Sequence, residues 1–170
     1  MKTEIHDLLI DLKAAVAIGQ PESIRAAISG LYALPDVASN RRLRASFVLQ
    51  NLVPLGEQLG KARLPEAFFE TLLQDPHAAI RAIAASALCI RFTNGNSEAG
   101  DSLQKAGLDE RSEVRAAIAA TLAKALAPSN AGSIIRLCET WLKHPSHKLQ
   151  ETARTVLAQR SHDAGKKSGR

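Results

Sequence analysis

Apolar and polar positions recur along this chain with the spacing of an amphipathic α-helix, from Lys2 to about Arg160. Val114, Ile118, Leu122 and Ala125 stand at i, i+4, i+8 and i+11 and form one apolar stripe. No stretch alternates apolar and polar residues between turn signals, so no strand is predicted. Two kinds of helix alternate. First helices are predicted roughly over 22–33, 63–74, 98–107 and 130–143, and second helices over 40–53, 77–92, 111–126 and 146–160. Turn residues punctuate them at Leu34-Pro35-Asp36, Asp75-Pro76, Asn94-Gly95-Asn96, Pro128-Ser129-Asn130 and His144-Pro145. Ser97 and Asn130 are suited to N-caps, and Pro76 and Pro145 to the first turn of a helix. Residues 2–18 make a further amphipathic helix, placed to cap an array. From Ser161 the chain turns to Gly, Lys and Ser and reads as a disordered basic tail. The expected organisation is one domain over 1–160 and a tail over 161–170.

The helix pairs repeat. Asp75 stands six residues before Arg81, and Asp109 six before Arg115. A β-branched residue, Ile80 or Val114, precedes each arginine, and apolar residues follow it. Weaker copies flank this pair, with Leu43-Arg44 in one and Leu149-Gln150 in the other. The anchors Leu43, Ile80, Val114 and Leu149 are 37, 34 and 35 residues apart. This paired-helix period with its Asp-x5-Arg spacing resembles HEAT repeats, in particular the short repeats of bacterial proteins, over roughly residues 20–160. The resemblance implies an all-α fold: a right-handed α-α superhelix of about four hairpins, with second helices on its concave side. It also implies that each arginine bonds the aspartate of the turn between helices and links neighbouring repeats, with Asp75–Arg81 and Asp109–Arg115 as the expected pairs. Asp75, Arg81, Asp109 and Arg115 are therefore expected to be a structural ladder, since an unpaired buried charge costs several kcal/mol.

Charge divides between the two kinds of helix. The second helices carry eleven basic residues and two acids, Glu113 and Glu151, whereas the first helices sum to a slightly negative value. The overall charge of +5 hides this asymmetry. On the implied fold the concave face would be basic and attract an acidic partner. Arg41, Arg42, Arg91, Lys124 and Arg154 are the expected partner-binding residues.

Composition narrows the field further. Of 170 residues, 45% are hydrophobic and only 4% aromatic, which suits one globular domain of close-packed helices. The two cysteines, Cys89 and Cys138, are far apart and lie in apolar patterns. They read as core residues, a regulatory thiol being the alternative, and a reducing cytoplasm is the easier setting. The longest uncharged run, Ala45 to Gly56, is too short to span a bilayer. There is no Gly-rich phosphate loop, His-Glu-x-x-His or Gly-x-Ser-x-Gly. His144 and His147 have His-x2-His spacing but no further ligands beside them, so neither a metal nor another cofactor is expected. Trp141 lies on an apolar stripe with Ile134, Leu137 and Cys138, and of Phe68 and Phe69 at least one is expected in the core.

The expected function is that of a non-enzymatic adaptor or regulator that binds an acidic protein segment on a basic inner face. The alternative is nucleic-acid binding through phosphate contacts. The resemblance points the same way, since alkylpurine DNA glycosylases are HEAT-like and basic. Their aromatic base cradle has no counterpart in a chain with one Trp and one Tyr.

Overall fold

The computed structural model describes the backbone of residues 2–167 and the side chains of residues 4–159. The chain is all-α, 76% helical, with no strand among the described residues. The helices are α1 (Lys2–Ile18), α2 (Pro21–Ser29), α3 (Pro35–Ala38), α4 (Ala45–Phe47), α5 (Val53–Leu59), α6 (Glu66–Leu73), α7 (Ala78–Thr93), α8 (Glu98–Gly107), α9 (Ser112–Lys124), α10 (Ala131–Leu142) and α11 (His147–Lys167). A 3-10 turn (Gly30–Ala33) follows α2. α11 continues through residues 161–167, where composition alone predicts a tail, and residues 168–170 lie outside the described residues.

α4, a π-helical turn (Val48–Leu52) and α5 follow one another without a break. Pro54 explains the π turn. Its ring collides with the carbonyl four residues earlier and it has no N–H to offer, so a wider turn relieves the helix at that point. Asn51 donates its side-chain amide to the Phe47 carbonyl at 3.2 Å. α7 ends where Gly95 takes a φ of 92°. There the Gly95 and Asn96 N–H groups return to the carbonyls of Phe92 and Arg91, each at 3.0 Å, in a Schellman motif.

Packing runs in sequence from α1 to α5, α7, α9 and α11, with α6 and α8 against α7 and α10 against α11. α7 is the centre: every residue from Ala78 to Cys89 except Arg81 is buried. Six alanines between Ala78 and Ala87 make this possible by letting neighbours approach closely. Gly56 and Gly60 do the same from the α5 side. A Cβ on Gly56 would lie 2.3 Å from the Cβ of Ser86, and one on Gly60 would lie 2.7 Å from the Ala87 carbonyl oxygen. The core adds Leu103, Ile118, Leu122 and Trp141, all fully enclosed. Phe68 and Phe69 are both buried and meet edge to face.

The first repeat departs from its predicted boundaries. The helix expected from residue 40 begins at Ala45, and residues 41–44 form an extended loop. Asn40 occupies the left-handed region with a φ of 45°, which interrupts helical propagation. Ser97 and Asn130 occupy N-cap positions but make no side-chain cap bond. Near Ser97 that role falls to Asn96, whose side chain accepts the Glu98 N–H at 3.0 Å. Pro76 and Pro145 sit ahead of α7 and α11 rather than in their first turns.

Candidate functional site

Three turns lead into α7, α9 and α11 with one shared design. In each, a side chain accepts the N–H two residues on. Asp75 takes it from His77 at 2.8 Å, Asp109 from Arg111 at 2.8 Å, and His144 Nδ1 from Ser146 at 3.1 Å. A long side chain from the helix then reaches back to the carbonyl six residues earlier. Arg81 donates to Asp75 at 2.8 Å, Arg115 to Asp109 at 2.7 Å, and Gln150 to His144 at 2.8 Å. Gln150 thus performs the part of the arginine it replaces.

The carboxylates are used differently from the expected ladder. Neither Arg81 nor Arg115 pairs with the carboxylate of its own turn. The Arg81 fork crosses to the following turn, with Nε 2.7 Å from Asp109 Oδ2 and Nη2 3.2 Å from Oδ1. Asp75 instead accepts the Tyr32 hydroxyl and lies 3.1 Å from His77 Nδ1. Tyr32 and His77 also stack edge to face. The link between successive repeats is therefore Tyr32 to Asp75, then Arg81 to Asp109. Asp109 accepts both from its own helix start and from a guanidinium one repeat earlier.

The 40–44 loop is fastened across these turns. Asn40 donates to the Pro76 carbonyl at 2.9 Å and accepts the Ala78 N–H at 3.2 Å. Arg111 donates to the Asn40 carbonyl at 3.2 Å. The Leu43 N–H reaches Glu113 Oε1 at 2.9 Å. Glu113 is itself buried and paired with Arg111 at 2.9 Å. Burial pushes the Glu113 carboxyl up, but the Arg111 hydrogen bond and the N–H groups of Glu113 and Leu43 outweigh it and hold it below the usual carboxylate range. The Arg111 guanidinium is raised in turn, first by its hydrogen bond to Glu113.

The five residues expected to bind a partner are dispersed. Arg41 and Arg42 lie exposed on the anchored loop. The Arg41 side chain has no partner among the described residues, and neither has that of Arg44, while Arg42 donates to Ser112 Oγ at 3.3 Å. With Glu110, Arg111, Ser112 and Glu113, Arg42 lines an open cavity of about 440 Å³. Arg91 is committed inside the fold. It pairs with Glu66 at 3.3 Å, donates to the Ala62 carbonyl and stacks over Phe69 at 4.5 Å, with 13% of its side chain exposed. Lys124 is exposed yet pairs with Glu57 at 2.9 Å, and Arg154 is exposed and meets Gln150 at 3.3 Å. Along the second helices, α5 and the π turn pack on α7 and also reach α9. Sequence reasoning missed Tyr32, Asn40 and Glu113. Only Gln150, standing in the register of the arginines, gave a legible signal of its role.

The thiols and the indole are internal. Burial raises the Cys89 thiol far up and brings Cys138 to about 11, which disfavours the thiolate form of both. Trp141 is fully enclosed.

No family model matches the chain, and no curated protein or solved structure matches it either. Among the described residues, no helix is long and apolar enough to cross a membrane.

Proposed function

We propose that this chain is a non-enzymatic, cytoplasmic interaction scaffold of the HEAT-like kind. Its hairpins α6/α7, α8/α9 and α10/α11 form a short right-handed superhelix that binds an acidic segment of another protein. The recurring turn design supports the repeat reading: the same two hydrogen bonds recur at 75/81, 109/115 and 144/150.

One observation carries the binding reading. Arg41, Arg42 and Arg44 stand exposed within four residues, with no carboxylate partner among the described residues, on a loop pinned to α7 and α9. Like charges repel, and a loop that holds them together without a counter-ion is preorganised for an external anion. The docking surface centres on this loop and not on Arg91. Long-range attraction from such a cluster speeds encounter with acidic partners.

The test is binding of a fluorescein-labelled glutamate-rich peptide, followed by anisotropy at low salt. The Arg41→Glu/Arg42→Glu double variant is expected to bind at least about tenfold more weakly. Unchanged binding by that variant, or equal binding of random duplex DNA at the same salt, overturns the reading.

A further inference from the structure

Arg81 and Arg115 occupy the same place in successive repeats, and comparing them isolates a missing group. Each uses Nη1 on the two carbonyls of its own turn. Arg81 donates to Asp75 and Pro76 at 2.8 and 3.1 Å, and Arg115 to Asp109 and Glu110 at 2.7 and 3.2 Å. Arg81 then places Nε and Nη2 on both oxygens of Asp109. For Arg115 the equivalent position in the following turn is His144, whose Nδ1 is already occupied by the Ser146 N–H. Among the described residues nothing engages the Nε and Nη2 edge of Arg115.

That residue also lines a cleft of about 190 Å³ between α9 and α11, with Ser112, Ala119, Glu151, Thr152 and Thr155. One repeat earlier, the π turn and α5 contact both α7 and α9. Glu151 borders the cleft without forming an ion pair with Arg115. Ser112, which borders this cleft, accepts a hydrogen bond from Arg42 of the neighbouring cavity.

Building on the proposed binding of an acidic partner, we infer that the outer edge of Arg115 is the receptor for one carboxylate side chain of that partner, seated between α9 and α11. The repeat itself names the chemistry. At the preceding position this edge holds a carboxylate in bidentate geometry, the arrangement in which guanidinium and carboxylate match best. The loop arginines attract the segment, and Arg115 fixes its register.

Two substitutions test this with the same glutamate-rich peptide. Arg115→Gln keeps the turn bond, because Gln150 makes it natively at 2.8 Å, and removes the fork. It is expected to fold and to bind about tenfold more weakly. His144→Asp supplies the missing carboxylate from within. It is expected to raise the melting temperature and to weaken peptide binding to a similar degree. If both variants bind like wild type while Arg41→Glu/Arg42→Glu does not, the loop surface stands and the role of Arg115 is overturned. If wild type fails to bind the peptide, the acidic-partner reading falls and this one with it. A melting temperature unchanged or lowered in His144→Asp counts against an unfilled fork independently of any peptide. Tighter binding of a phosphoserine peptide of equal net charge would overturn the choice of a carboxylate.

Discussion

Arg81 grips Asp109 through two parallel hydrogen bonds of 2.7 and 3.2 Å, although 28 residues separate them. Both side chains are largely enclosed, at 16% and 13% exposure. Asp109 also anchors the start of α9 through the Arg111 N–H. Removing it strands a guanidinium at a junction and loosens a helix start. Asp109→Ala is expected to lose about 2–4 kcal/mol, measured by urea unfolding. Asp109→Asn keeps the turn acceptor and is expected to lose less. Equal losses would show that the ion pair contributes nothing beyond the turn.

The contact between α5 and α7 depends on the absence of a side chain. A Cβ at position 56 would stand 2.6 Å from the Ile83 carbonyl oxygen, a backbone atom that cannot swing aside. Gly56→Ala gains helix propensity, yet the steric cost dominates. A net destabilisation of about 1–3 kcal/mol is expected in chemical denaturation. A more stable variant would show that the helices separate without penalty.

Alkaline pH should probe the Tyr32–Asp75 link. Burial first, then the hydrogen bond and the negative charge of Asp75, raise the Tyr32 phenol from 10.0 to about 12. A pKa raised on folding means that the neutral phenol is favoured in the folded state. Its contribution is complete below pH 10.0 and disappears as pH climbs through about 12. Tyr32→Phe is therefore expected to be less stable at neutral pH and to lose less on going to high pH. Parallel curves for the two proteins would contradict the assignment.

Acid should probe Glu113. Its carboxyl is held below the ordinary 4.5, so its contribution is complete above that value and lost as pH falls through the lowered one. Glu113→Gln is expected to flatten the acid limb of the stability profile. It should also release the 40–44 loop, which amide exchange at Leu43 would detect as faster exchange. Exchange at Leu43 unchanged from wild type would sever the loop from the buried carboxylate.

Local pattern carried much of this architecture. The stripe Val114, Ile118, Leu122 marks α9, and the Ala-rich run from Ala78 marks α7, because helix periodicity is a property of near neighbours. The reach of Arg81, Arg115 and Gln150 to a carbonyl six residues back is likewise set within one turn and one helix. The start of α4 was not legible. Asn40 and Leu43 take their hydrogen bonds from Pro76, Ala78 and Glu113, partners that lie 36 to 70 residues away.

By itself, then, the sequence determined an all-helical chain, its turns, most of its helix starts and the identity of its basic side chains. The tertiary structure decided which charges have partners. Arg91 and Arg154 look alike as exposed-helix cations in the sequence, yet one lies against Glu66 and Phe69 while the other faces outward. It also decided that Asp109 meets Arg81 and that, among the described residues, the outer edge of Arg115 is unmatched. Helix formation follows from neighbours three and four residues apart, whereas the fate of a charge depends on which distant helix packing brings within 3 Å or so of it.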